Sequence, residues 1–298
     1  MTDLHVAAVD ECGTPAADAS TAIVPWWSFT KTLVAVAALR LVEQGRLALD
    51  APLPAAPFTL RQLLQHRAGL GDYGALPAYR AAVERADEPW SDDVLFRHVP
   101  PSRLLFAPGE GWAYSNVGYL LARRTIEAAC GAGLDRVLEE QVLGPLGLAG
   151  SRFARGPDDM RATAFEGGRG YHPGWVRHGL VVGPAVEAAL ALHRILNGGL
   201  LSPASRAALL AAHPVGGPPP GRPWTSAGYG LGLMIGTMRG PGADAPLDVV
   251  GHSAGGPGSV GAVYHAPRAR PRLTVAAFAA GPDGGLVEDA ALRRLAGA

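Results

Sequence analysis

Lysine is all but missing from this chain: 25 of its 26 basic residues are arginine, and Lys31 is the single lysine. Asparagine is nearly as scarce, at Asn116 and Asn197 only. Cysteine is confined to Cys12 and Cys130, which excludes a disulfide framework and a thiolate metal site. The nine histidines contain no His-x-His or His-x-x-x-His pair, so no metal and no cofactor is indicated. Basic and acidic residues balance at 26 each, leaving no electrostatic footprint for nucleic acid. No apolar run reaches the ~18 residues that cross a bilayer. The opening MTDLHVAAVDECGT also lacks the basic and apolar regions of a secretory leader, so the expectation is a cytoplasmic protein without a membrane partner. What remains is 298 residues, 48% of them hydrophobic, enough for one large domain or two interleaved ones. Glycine and proline, 40 and 26 residues, follow no period, which fits a globular protein with many loops.

The surviving lysine carries chemical information. A base-composition bias in the coding DNA replaces lysine wherever a surface charge is all that is needed. Arginine stays charged at every accessible pH, whereas a buried lysine can lose its proton and act as a base.

Residues 4–9 and 21–27 read as short strands around a Gly-Pro turn. Residues 28–44, SFTKTLVAVAALRLVEQ, are apolar nearly all round and predict a buried helix closed by Gly45, with Lys31 in its first turn. Segments 59–66, 91–99, 115–131, 133–147, 183–199 and 202–212 show helical spacing or caps, and 156–175 and 214–224 read as loops. From Tyr229 apolar alternation returns as hairpin-linked strands, and a last helix is expected from Asp283 to Leu295. The expected fold is α+β: an antiparallel sheet flanked by helices and built from both chain ends (1–49 and 225–298), with an all-helical domain (50–224) inserted.

Two serines compete for the role of nucleophile. Gly251-His252-Ser253-Ala254-Gly255 fits the Gly-x-Ser-x-Gly elbow, but an elbow needs a helix directly after it and an acid, then a histidine, later in the chain. GGPGSV follows instead, and the only later histidine, His265, precedes Asp283 and Asp289. Ser28-Phe29-Thr30-Lys31 offers a better arrangement. Positions i and i+3 share a helix face, so the Lys31 amine can reach the Ser28 hydroxyl. Burial and the positive helix terminus both disfavour an ammonium there, which leaves a neutral amine to activate Ser28. Tyr114-Ser115-Asn116 adds a phenol able to shuttle a proton to a leaving group and an amide able to hold Lys31 and a substrate carbonyl. His252-Ser253-Ala254-Gly255 on a late strand offers a backbone N–H that pairs with that of Ser28 as an oxyanion hole.

Ser-x-x-Lys, then Tyr-x-Asn, then a Lys/His-Thr/Ser-Gly-like triplet, in this order, resembles the serine β-lactamase and penicillin-binding-protein superfamily, most nearly its class C β-lactamase-like group of carboxylesterases, D-aminopeptidases and D-alanyl-D-alanine carboxypeptidases. The segments 60–73, 106–131, 141–153 and 251–259 look like that group's connecting and third-motif segments. The resemblance implies that Ser28 is acylated, that Lys31 is the base in acylation, and that Tyr114 protonates the leaving group and helps activate water. It further implies that Asn116 positions Lys31 and the substrate, that His252 and Ser253 sit opposite the nucleophile, with His252 supplying a donor or positive character, and that the N–H groups of Ser28 and Gly255 form the oxyanion hole.

The chain departs from that pattern at Ala254, where glycine is common, and at Ser259, where an aromatic is common. Trp26, Trp27 and Trp112 are candidates for an apolar acyl pocket or for plain core. The expected activity is metal-independent hydrolysis of a small ester or amide through an acyl-serine, esters favoured. D-amino-acid peptidase and β-lactamase activities rank behind, because a cytoplasmic enzyme rarely meets their substrates. Acyl transfer to another acceptor and a non-catalytic binding or sensor module of the same fold are the alternatives. Oligomeric state is not legible.

Overall fold

The computed structural model describes residues 3–240, 243 and 245–297. Its strands are β1 (Leu4–Val9), β2 (Ile23–Pro25), β3 (Arg152–Phe153), β4 (Val181–Pro184), β5 (His213–Pro214), β6 (Trp224–Tyr229), β7 (Met234–Met238), β8 (Leu247–Gly256), β9 (Ser259–His265) and β10 (Thr274–Ala280). The α-helices are α1 (Thr30–Glu43), α2 (Leu60–Leu64), α3 (Pro77–Glu84), α4 (Asp92–His98), α5 (Asn116–Cys130), α6 (Leu134–Leu138), α7 (Pro157–Arg161), α8 (Ala185–Asn197), α9 (Pro203–Leu210) and α10 (Gly284–Leu295).

Seven strands form one antiparallel sheet in the order β1-β10-β9-β8-β7-β6-β5, so the first strand pairs with the last. Alternate side chains along each strand point to opposite faces. Ala276 and Phe278 of β10 therefore join the core that holds α1 and α8, while Val275, Ala277 and Ala279 join the core under α10. Helix α1 lies in the first layer with nearly every residue buried, as its all-round apolar sequence requires. It ends where Gly45 takes a φ of +71°.

Several expectations need correction. The segment 21–27 holds only the three-residue β2, and this pairs with β4 in a separate three-stranded sheet, β2-β4-β3, rather than with the main sheet. Pro25 has no N–H to continue a ladder. The segment 183–199 opens as the end of β4 before α8 begins, and 133–147 passes from α6 into a π-helical turn over Glu139–Leu143. Helices α3 and α7 lie in stretches where no helix was expected; both carry proline in the first turn, where the missing N–H costs nothing. Helix α8, inside the 50–224 span, packs on β1, β9 and β10, and β5 lengthens the main sheet, so that sheet layer draws on more than the two chain ends. Among the described residues no helix is long and apolar enough to cross a membrane.

The sheet's close packing sets a stability test. At Gly251, a Cβ would stand 1.9 Å from the Val263 carbonyl oxygen and 2.7 Å from the Tyr264 ring, neither free to retreat. Gly251→Ala is expected to lower unfolding free energy by about 3 kcal/mol, read as a fall in the urea midpoint at constant m-value.

Candidate active site

Ser28 does not sit inside α1 but in a single 3₁₀ turn, Trp27–Phe29, that feeds it. The turn is entered through Trp27, whose φ of +39° is rare for a bulky side chain. Packing holds this conformation. Trp27 is buried, its indole N–H donates to Ser259 Oγ at 2.9 Å, and its ring fills the space where a Cβ on Gly256 would come within 2.5 Å of it. A hydroxyl at 259 thus does what a larger residue could not. The Thr30 hydroxyl accepts from the Val181 N–H at 3.1 Å and the Thr32 hydroxyl donates to the Gly232 carbonyl at 2.6 Å, fixing the first turn of α1.

The serine so presented has its Oγ 3.1 Å from Lys31 Nζ and 2.8 Å from the Tyr114 hydroxyl. Tyr114 directly precedes the N-cap of α5. That cap, Ser115, accepts from the Gly118 N–H at 2.9 Å and donates to the Gly71 carbonyl at 2.7 Å. The Tyr114 ring lies against the buried imidazole of His66, centroids 4.4 Å apart, and the Ser115 N–H donates to His66 Nδ1 at 3.0 Å.

Burial decides the charge state of this cluster. Lys31 is wholly buried, and desolvation pushes its amine well below the ordinary lysine range, partly offset by the attraction of Asp72. Burial raises the Tyr114 phenol, so it stays protonated. His66 and His178 are driven well down by burial and then by the neighbouring Lys31. Burial thus disfavours the charged form of both groups that flank the serine hydroxyl, the Lys31 ammonium and the Tyr114 phenolate.

His252 does not match its sequence reading. Burial brings its pKa down to about 3, so it carries no positive character near neutrality. Both ring nitrogens are occupied: Nδ1 donates to the Ser253 carbonyl, and Nε2 accepts from the Tyr229 hydroxyl at 2.8 Å. No free imidazole donor is left to face Ser28. Asn116 also differs. Its carboxamide and backbone N–H donate to Asp72, at 3.4 and 2.7 Å, whereas the hydrogen-bond partners of the Lys31 amine are Ser28 and His178. His178 and Asp72 escaped the sequence reading because neither stands in a motif.

Ser253 is in mid-strand, since β8 runs on to Gly256 and turns back through Pro257-Gly258 into β9; the strand-to-helix elbow does not exist. The Ser253 hydroxyl contacts Met234 Sδ at 3.4 Å. Strand β7 pairs with β8 only as far as Gly251, which leaves Gly255 beyond its end and beside the 3₁₀ turn. The methyl of Ala254 is accommodated because its cross-strand partner is Gly261.

Ser28 and Gly255 stand at the junction of two cavities. One, of about 470 Å³, is walled by Trp27, Tyr73, Tyr79, Tyr171 and Trp175 and reaches Asn116 and His178. The other, of about 690 Å³, is bounded by Tyr114, Trp112, Met234, Ser253 and the Pro218-Pro219-Pro220 loop. Both loops expected from sequence thus border the site. Trp26, fully buried, belongs to the core.

This architecture is that of the β-lactamase-fold serine hydrolases. The Beta-lactamase family model matches residues 10–298, and the chain belongs to that family. A D-stereospecific amidohydrolase from Streptomyces sp. superposes with a TM-score of 0.76 over 97% of this chain and 93% of its own, at 23% identity. A penicillin-binding-protein homologue from Pyrococcus abyssi gives 0.74 over 99% and 73%, at 21% identity. In sequence, the chain is similar to esterase EstB of Burkholderia gladioli, 32% identical over 48% of this chain and 41% of that protein. The D-alanyl-D-alanine-carboxypeptidase/endopeptidase AmpH of Escherichia coli is 28% identical over 45% and 37%. The matches thus span about two fifths of the length of these two curated relatives.

Proposed function

We propose that the chain hydrolyses small esters with uncharged leaving groups through an acyl-Ser28 intermediate. Lys31, 3.1 Å away and disfavoured as an ammonium by burial, takes the Ser28 proton as Oγ attacks the substrate carbonyl. The oxyanion is held by the N–H groups of Ser28 and Gly255. In the two-residue hairpin, 256 and 259 form the hydrogen-bonded pair, so alternation turns the Gly255 N–H away from β9 and toward Ser28. As the bond to the leaving group breaks, the Tyr114 phenol passes it a proton that the Lys31 ammonium resupplies. Water then repeats the sequence and frees the acid. Asn116, tied to Asp72, orients the acyl part.

Tyr114 lines the larger cavity and not the smaller, which supports placing the leaving group in the former and the acyl group in the aromatic one. The observation that carries the ester reading is the charge of that larger cavity. Among the described residues Arg222 is the one arginine or lysine lining it, and its guanidinium is already held by the buried carboxylate of Glu288; His252, also there, is neutral. A leaving group bearing a carboxylate, as in a peptide C-terminus or a fused lactam, finds no unpaired cation among these lining residues. Names of relatives agree with both options, since EstB is called an esterase and AmpH a carboxypeptidase.

The test compares phenyl acetate with 3-carboxyphenyl acetate, close in intrinsic reactivity, beside a chromogenic cephalosporin. The expected kcat/KM favours the uncharged ester by about tenfold or more, a difference of about 1.4 kcal/mol. Equal or reversed preference would move the assignment to the peptidase or β-lactamase reading.

A further inference from the structure

We propose that His66 is a positioning residue for Tyr114: its carbonyl and its imidazole hold the backbone N–H groups on either side of this tyrosine, and so keep the phenol on Ser28. This rests on the reading of Tyr114 as the proton donor to the leaving group.

The place of His66 in the chain singles it out. Helix α2 closes with the His66 N–H donating to the Leu63 carbonyl at 3.1 Å and the Arg67 N–H to the Gln62 carbonyl at 2.7 Å, and His66 takes a φ of +59°. This pair of bonds is the Schellman closure, whose left-handed residue is by preference glycine, because a Cβ is penalised there. The ring adds a second cost. Its Nε2 is buried and makes no hydrogen bond among the described residues. A glycine would close the helix and carry neither penalty, so the side chain answers to something outside the helix.

The segment that leads into α5 supplies the reason. The His66 carbonyl accepts from the Ala113 N–H at 3.0 Å, and Nδ1 accepts from the Ser115 N–H, also at 3.0 Å. A backbone N–H can only donate, so Nδ1 is the bare nitrogen of a neutral ring, and burial keeps it so. Tyr114 lies between these two anchored residues. Its ring also rests against the imidazole, centroids 4.4 Å apart, so one residue restrains both its backbone and its side chain. Tyr119 and Tyr229 pack on the same imidazole at 5.0 and 4.7 Å, each tied by its own hydroxyl, to the Leu64 carbonyl and to His252 Nε2. What this cluster delivers is a phenol 2.8 Å from Ser28 Oγ.

Two esters read the position of that phenol. Benzyl acetate expels an alkoxide that has to be protonated as it leaves, whereas the anion of 4-nitrophenol leaves unaided. His66→Gly suits the turn and keeps the carbonyl, removing the imidazole alone. It is expected to cut kcat/KM by about 30-fold or more on benzyl acetate and by less than about threefold on 4-nitrophenyl acetate. His66→Asn, which adopts the left-handed backbone and carries an acceptor where the ring has Nδ1, restores most of the loss. In a Tyr114→Phe background the further loss from His66→Gly shrinks to about twofold or less. Should the glycine variant not fold, His66→Leu keeps the bulk without an acceptor and is read the same way. An equal fall on both esters, no recovery with asparagine, or a loss that persists in Tyr114→Phe overturns the proposal. If Tyr114→Phe by itself falls equally on both esters, the proton-donor reading fails and takes the proposal with it; a selective fall in Tyr114→Phe with none in His66→Gly sinks the proposal alone.

Discussion

Ser28→Ala is expected to lose about 10⁴-fold or more of the wild-type ester turnover and to take no acyl adduct. Two side chains of the site converge on this hydroxyl, the amine at 3.1 Å and the phenol at 2.8 Å. Alanine removes the atom that would form the covalent bond and leaves Lys31 and Tyr114 beside a methyl. The change is small in volume, and Trp27 keeps its anchor on Ser259, so the fold should be undisturbed. Intact mass after brief exposure to a slowly deacylating ester reads the adduct directly. An adduct persisting in the variant, or turnover within tenfold of wild type, would send the search to Ser253.

Lys31→Arg, which conserves charge, is expected to be nearly as damaging, with kcat/KM down by about 10³-fold or more. The reason lies in proton affinity rather than in sign. A guanidinium cannot give up its proton in this pH range, so it cannot accept one from Ser28. It is also larger and planar, and Lys31 is wholly buried, with no space for a fork of donors between His178 and Tyr114. Some loss of stability should accompany the loss of rate, so the comparison that matters is kcat/KM at a temperature where both proteins are fully folded. Near-normal turnover in Lys31→Arg would refute the base assignment whatever the stability.

Legibility followed how local the physics was. The buried helix after Ser28 was readable because its apolar residues cover all faces, and its stop because Gly45 follows; the late strands were readable because alternation has a period of two. The juxtaposition of Ser28 and Lys31 is a matter of three residues on one turn, and this too needed no tertiary information. Strand β2 was misplaced because pairing partners are chosen by packing, and nothing in Ile23–Pro25 announces a partner at Val182–Pro184. The charge of His252 was misjudged for a related reason, since burial by distant strands sets its ionisation. His178 and Asp72 reach the site from outside every motif, and only the folded chain brings them to Lys31 and Asn116.

The latch of Trp27 on Gly256 and Ser259 has a bearing on how this sequence can drift. Trp27 shares one volume with two positions of a hairpin far along the chain, so the cost of a change at any of the three depends on what stands at the other two. A side chain on 256 would collide with the indole, and a bulky residue at 259 would displace the hydroxyl to which its N–H donates, releasing the unusual backbone turn that presents Ser28. An aromatic at 259 could be taken in only with a smaller or differently turned residue at 27. Passage between the two solutions requires coupled replacements, and a single substitution along that route loses the turn before the alternative support is in place.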